Sequence, residues 1–207
     1  MTALVAIGAA LALIFGACLT EAPPSALKSL IKTGATRALA LAGVVAGAPA
    51  PVIAGLALDA LGDLLLSRPS QRAFLGGMAA SRWGIWAYLA AFRPLIGDEP
   101  PPALALGAGL VLFASGRVWL WRHCGALALP VIGYSAIISL MLAFAMMLGP
   151  GYRLVRIGAL MFTLSDLLLA LRLFRATTPQ VRHILSMSLW PLYWAGQLLI
   201  LRGFLLA

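Results

Sequence analysis

Apolar residues run along this chain in blocks about as long as a bilayer is thick. The blocks cover 2–20, 29–48, 51–67, 72–92, 102–120, 125–148, 152–172 and 184–206. A helix needs roughly 20 apolar residues to span the hydrocarbon core. Within lipid, a single segment can satisfy its own backbone only as a helix. The pattern therefore predicts an all-α fold, a polytopic membrane helical bundle with eight transmembrane helices, in one domain over 1–207. The breaks between blocks hold turn formers: Pro23-Pro24, Pro49 with Pro51, Arg68-Pro69-Ser70, Gly149-Pro150-Gly151 and Thr177-Thr178-Pro179. Proline ends a helix by steric clash and by the missing N–H. Asp98-Glu99-Pro100-Pro101-Pro102 and Arg122-His123 mark the other two breaks. The turn after the second block is short, which makes the second and third helices an antiparallel hairpin.

Composition supports this reading. Of the 207 residues, 62% are hydrophobic and only 10% charged, too few charges to cover a soluble domain. The first block resembles a signal peptide in length but lacks a basic leader, so it is expected to stay as the first helix. The net charge of +9 would suggest nucleic acid in a soluble protein. Here the arginines fall in short loops, where they set topology, and no nucleic-acid partner is expected. Lys28, Arg68, Arg72, Arg117, Arg122, Arg172, Arg175 and Arg182 follow helices one, three, five and seven. Arg93, Arg153, Arg156 and Arg202 lie on the other side, opposed by Asp98 and Glu99. The richer side is expected to be cytoplasmic, with both termini outside. A bias towards Ala, Leu, Gly and Arg suggests a GC-rich bacterium and its inner membrane. Trp119 and Trp121, flanking Arg117 and Arg122, read as an interfacial belt. Cys18 and Cys124 read as small core residues, with no disulfide framework or metal site.

Ionisable groups inside spans are costly and mark candidate sites. They are Lys32 and Arg37 in helix two, Asp59 and Asp63 in helix three, Arg82 in helix four and Asp166 in helix seven. At about 1.5 Å of rise per residue, Asp63 and Asp166 sit one to two turns inside the cytoplasmic boundary. Lys32, Tyr134 and Tyr193 reach a similar level from the same side. That convergence predicts one cavity open to the cytoplasmic half. Asp59 and Asp63 are four apart and share a helix face. Two carboxylates that close in a dry site compete for a proton, and a carboxyl that keeps its proton can act as a general acid. The alternative is that the three aspartates pair with Lys32, Arg37 and Arg82 to hold the bundle together.

The run Gly55-Leu56-Ala57-Leu58-Asp59-Ala60-Leu61-Gly62-Asp63-Leu64-Leu65-Leu66 and the run Gly158-Ala159-Leu160-Met161-Phe162-Thr163-Leu164-Ser165-Asp166-Leu167-Leu168-Leu169-Ala170 resemble the two signatures of a known family. Lys32, Gly77, Tyr88, Tyr134, Tyr193 and Gln197 also fall where that family has such residues. The family is the YhhN-like, lysoplasmalogenase family of eight-helix membrane proteins. The resemblance covers nearly the full chain. It implies hydrolysis of the vinyl ether bond of a lysoplasmalogen, giving a fatty aldehyde and glycerophosphoethanolamine or glycerophosphocholine, with no metal or organic cofactor. There are departures near the expected cavity. Ile85 stands where the family commonly has histidine, Ser81 replaces a phenylalanine-like residue and is followed by Arg82, Asp59 replaces a serine, and Thr33 replaces a proline.

Vinyl ether hydrolysis needs a proton donor and a carboxylate that steadies a cation and activates water. Asp63 and Asp166 are the candidate catalytic pair, with neither role assigned between them. Lys32, Asp59, Tyr88, Tyr134, Tyr193 and Gln197 are the candidate substrate-binding residues. Lys32 is expected on the lipid phosphate and Asp59 in a tuning role. The partner is a lysophospholipid in the bilayer, and the oligomeric state stays open. A small transporter, a lipid-binding protein and a hydrolase of another lysolipid are the other readings, because intramembrane carboxylates also serve proton coupling. The topology has a direct check: a reporter fused after Ala207 is expected to read outside, and a cytoplasmic signal would reverse the assignment.

Overall fold

The computed structural model describes residues 1–97 and 103–207. The 98–102 break, with Asp98 and Glu99, lies outside the described residues. Among the described residues there are eight α-helices and no strand: α1 (Thr2–Ile14), α2 (Ala26–Val45), α3 (Ala50–Leu66), α4 (Gln71–Phe92), α5 (Ala103–Trp119), α6 (Ala128–Met147), α7 (Arg153–Phe174) and α8 (Pro179–Leu206). α1 continues as a π-helical turn over Phe15–Leu19. The all-α expectation holds, and the helices follow the apolar blocks closely. The main shift is in α8, which starts five residues before the block at 184. The Thr178 hydroxyl accepts from the Val181 amide, and Pro179 occupies the first turn. Such a cap stabilises a helix start regardless of hydrophobicity, so the polar first turn escapes a reading based on apolar runs. Ser25 and Ser70 cap α2 and α4 in the same way.

Four segments are long and apolar enough to cross a membrane: Thr2–Leu19, Gly125–Met147, Pro150–Phe174 and Pro179–Leu206. The other four helices do not meet that measure. α3 and α5 have 17 residues each. α2 carries Lys28, Lys32 and Arg37, and α4 carries Arg72 and Arg82.

The α2–α3 turn is a helix hairpin, as expected. Gly47 adopts φ 69°, a conformation that glycine enters without a Cβ clash. The Gly47 amide donates to Val44 O, and the Ala48 amide donates to Gly43 O at 2.9 Å. This pair of bonds satisfies the last carbonyls of α2 and reverses the chain. Pro51 then occupies the first turn of α3.

Helices α2, α3, α4, α6, α7 and α8 pack in that order, and α8 returns to α2. α1 lies against α2 and α8, and α5 lies against α6. Two of these contacts are backbone-close. In α3–α4, Gly62 faces Gly77 and Gly55 faces Gly84, each pair separated from the next by one heptad. A Cβ on Gly77 would lie 3.2 Å from Gly62 O, and one on Gly84 would lie 3.2 Å from Gly55 O. In α7–α8, a Cβ on Gly158 would come within 2.6 Å of Gly196 O and 2.8 Å of Ile200 N. Membrane helices associate largely by close packing, for which small residues are suited. Two tryptophans fix α8 to the first helices: the Trp190 indole donates to Ala12 O at 2.9 Å and the Trp194 indole to Ala35 O at 3.1 Å.

Gly158→Val is expected to force α7 and α8 apart and to lower stability by about 3 kcal/mol, the upper range for overpacking. A thermal unfolding midpoint in detergent reads this. Gly149→Ala, with open space at its Cβ, should leave the midpoint unchanged.

Candidate active site

The ring of helices encloses a cavity of about 310 Å³. Five of the residues singled out from sequence line it: Lys32, Asp63, Tyr134, Asp166 and Tyr193. They come from α2, α3, α6, α7 and α8, so no two neighbouring segments alone could form the site.

Asp63 is almost fully buried. Lys32 Nζ lies 3.0 Å from its Oδ1. Its Oδ2 accepts from Thr36 Oγ1 at 2.7 Å and from the Tyr193 hydroxyl at 3.1 Å. A buried charge is tolerated when it is both paired and hydrogen-bonded, and Asp63 has both. Thr36 escaped the sequence reading. The signal was present, because Thr36 lies four residues after Lys32 and therefore on its face of α2. Asp166 lies on the opposite side of the cavity and accepts from the Tyr134 hydroxyl at 2.7 Å. Among the described residues, that is its one hydrogen-bond partner.

The shared face of Asp59 and Asp63 does not make them a pair. Asp59 is fully buried behind the cavity wall, and its Oδ2 accepts from Gln197 Nε2 at 2.5 Å. Gln197 Oε1 in turn accepts a short hydrogen bond from the Tyr88 hydroxyl. Asp59 Oδ1 has no partner among the described residues, and Gly84 leaves room for it. Asp59, Tyr88 and Gln197, expected on the substrate, thus form a chain from α3 to α8 to α4 outside the cavity lining. Four residues of α3 turn the side chain by slightly more than one helical turn, enough to direct Asp59 towards α4 while Asp63 faces α2.

The ion-pairing alternative fits one aspartate. Lys32 pairs with Asp63, so its charge is balanced by that carboxylate. Arg37 is exposed on α2, and Arg82 lies beside Gly133 of α6 with its Nε buried and unpartnered among the described residues. Of the departures from the family pattern, Ser81 lines the cavity, whereas Ile85 is buried in the core.

The remaining wall is aromatic. The rings of Phe15 and Trp190 lie 4.4 Å apart, and Tyr193 packs on both Trp190 and Phe162. Lys32 Nζ sits 5.8 Å from the centre of the Trp190 ring, within reach of a cation–π attraction. Trp190 gave no ionisable signal in the sequence, and only the folded structure brings it to the site. Trp119, read as part of an interfacial belt, also lines the cavity and donates to Ser115 Oγ at 3.3 Å. Trp121 packs on Phe113.

The site is open at one end. That end is formed by the start of α2, the ends of α3 and α7, and the early turns of α8. It carries Thr20, Lys28, Ser67, Arg172 and Ser186. A polar, cationic entrance leading to two carboxylates beside aromatic rings can admit an amphiphile with an anionic head and can move protons at its inner end.

The YhhN family model matches residues 27–204. Proteins named lysoplasmalogenase from Mycobacterium bovis and Mycobacterium tuberculosis are each 29% identical over 159 residues, covering 74% of this chain and 59% of theirs. The chain thus spans about three fifths of the length of these curated relatives. No solved structure matches. With the family pattern matched over all but the first helix and the last residues, this all-helical membrane protein belongs to the YhhN family.

Proposed function

We propose that the protein is a membrane lysoplasmalogenase-like hydrolase, cleaving the vinyl ether bond of a lysoplasmalogen to a fatty aldehyde and glycerophosphoethanolamine or glycerophosphocholine. The observation that carries this reading is the placement of Asp63 and Asp166, from separate helices, on one aromatic cavity with a basic mouth. The relatives named lysoplasmalogenase support it.

In this reading, Asp166 donates a proton to the β-carbon of the vinyl ether. The α-carbon and ether oxygen become an oxocarbenium ion. Asp63 is suited to face that cation, because three donors, Lys32, Thr36 and Tyr193, engage its oxygens and match the acceptor-only ionised form. Water then adds to the α-carbon and loses its proton to the Asp166 carboxylate, restoring the acid. The hemiacetal collapses to aldehyde and glycerol hydroxyl. One donor and one anion in distinct surroundings is the arrangement such chemistry requires. The Tyr134 hydroxyl orients Asp166 in this scheme. The reading places all eight helices across a bacterial inner membrane, with the cavity opening towards the cytoplasm and both termini in the periplasm.

The test is aldehyde release from a lysoplasmalogen by purified protein. Asp63→Asn and Asp166→Asn are each expected to lower kcat/KM by at least about 100-fold, the scale of general acid–base catalysis. Full activity in either variant rules out this mechanism. Tyr134→Phe is expected to cost about 5-fold in kcat with KM near wild type, the worth of one hydrogen bond. Exchange of intact lysolipid across liposomes without aldehyde would replace the hydrolase with a transporter.

A further inference from the structure

The sequence leads one to expect Lys32 on the lipid phosphate, but in the structure its charge is balanced by the Asp63 carboxylate at 3.0 Å. An anionic head group is better matched by cations that no carboxylate neutralises at such short range. Nearer the opening, two other cations, Lys28 and Arg172, line the cavity. We infer that Lys28 and Arg172 form a phosphate-binding subsite at the cavity mouth, and that Glu21 occupies it as an internal anion until a phosphate displaces it. This rests on the lysolipid reading above and names how that site holds the head group.

The two cations are poised rather than saturated. Lys28 Nζ donates to Thr20 O at 3.0 Å and Ala22 O at 2.6 Å. Both acceptors are neutral carbonyls, and an ammonium has three donors, so one N–H and the full charge remain. Arg172 Nε donates to Ser186 Oγ at 2.5 Å. That hydroxyl is in turn tied to Arg182 O at 2.9 Å, which fixes the guanidinium plane. Its Nη2 reaches Glu21 Oε1 at 3.5 Å. This contact is long, and the Glu21 side chain is 42% exposed. Exposed ion pairs of this kind contribute little, whereas a guanidinium binds phosphate through two parallel N–H bonds. The Ser186 hydroxyl and the Arg172 guanidinium beside Glu21 hold its carboxyl below its ordinary value against the opposing effect of partial burial. Glu21 is thus an anion at neutral pH and a fit stand-in for another.

The spacing also fits. Arg172 lies six residues after Asp166 on α7, roughly 9 Å along the axis, and Lys28 lies four residues before Lys32 on α2, roughly 6 Å. The phosphorus of a lysolipid is separated from its ether oxygen by three carbons and one oxygen, roughly 6 Å at ordinary bond lengths. A phosphate at the mouth therefore puts the ether at the level of the two aspartates. A phosphate on Lys32 would push the ether past them.

The experiment measures binding without turnover. Quenching of tryptophan fluorescence in detergent-purified protein, where Trp190 and Trp119 line the cavity, is followed with ester lysophosphatidylcholine, with a monoacylglycerol of the same chain, and with inorganic phosphate. Wild type is expected to bind the lysolipid more tightly than the monoacylglycerol. Arg172→Gln should weaken lysolipid binding about 10-fold and Lys28→Gln somewhat less, the scale of charge-assisted hydrogen bonds. Monoacylglycerol binding should not change, which also shows that the variants are folded. Glu21→Gln should tighten lysolipid binding. Competition by inorganic phosphate that leaves monoacylglycerol binding intact supports the seat. A lysolipid that binds no better than inorganic phosphate assigns the seat to free phosphate. Equal affinity for lysolipid and monoacylglycerol, or an unchanged lysolipid affinity in Arg172→Gln, overturns the inference. Mouth-dependent binding with no aldehyde release would leave this inference standing and remove the hydrolase, and aldehyde release with an unchanged KM in Arg172→Gln would do the reverse.

Discussion

The site depends on backbone contact between glycine-bearing helices. α3 and α7 carry the two cavity aspartates, and each meets a neighbour, α4 or α8, at glycines where an added Cβ would lie 3.2 Å or less from the partner's backbone. Small residues at such seams let the backbones approach closely, so a bulkier residue there would move the helix. Rotation of α3 by one residue would turn Asp63 away from Lys32 and leave a charge buried without its partner, a change that costs several kcal/mol. The seams and the ion pair therefore specify the same register. Glycines that look like helix weaknesses in the sequence are what hold the carboxylates in place.

Much of the fold was legible because hydrophobic blocks and turn formers are local signals. The α2–α3 hairpin followed from the short turn marked by Pro49 and Pro51, and the structure adds Gly47 and the bonds that make it. The level at which Lys32, Asp63, Tyr134, Asp166 and Tyr193 meet followed from counting rise along helices, and all five line the cavity. Azimuth was harder to read. Asp59, Tyr88 and Gln197 lie at plausible positions along their helices but face one another behind the wall. Periodicity gives the relative face of two residues on one helix. It does not say which neighbour that face meets, which is set by helix order in the ring. Thr36 and Trp190 were missed for a related reason, since a hydroxyl or an indole has no charge to mark it inside a span.

The departures from the family pattern gain a structural meaning from this arrangement. Ser81 replaces a bulky residue on the cavity wall, and nearby Gly62 and Gly77 bring α3 and α4 together at that level. Ile85 takes the place of a histidine, but in the core rather than on the cavity. Asp59 replaces a serine and is held by an amide whose other end binds a phenol. The wall between α3, α4 and α8 contains a connected polar chain through Asp59, Gln197 and Tyr88.

That chain closes late in biosynthesis. The observed partner of Asp59, Gln197, lies 138 residues further along the sequence, and the tryptophans that tether α8 to α1 and α2 are separated from their acceptors by 178 and 159 residues. When α3 enters the membrane, Asp63 already has Lys32 and Thr36 beside it, on the helix that came before. Among the described residues, the partner that Asp59 hydrogen-bonds comes only with α8, which packs against α1, α2 and α7. In chain order, then, Asp63 meets its ion-pair partner on the preceding helix, whereas the polar wall around Asp59 is complete only once α8 is in place.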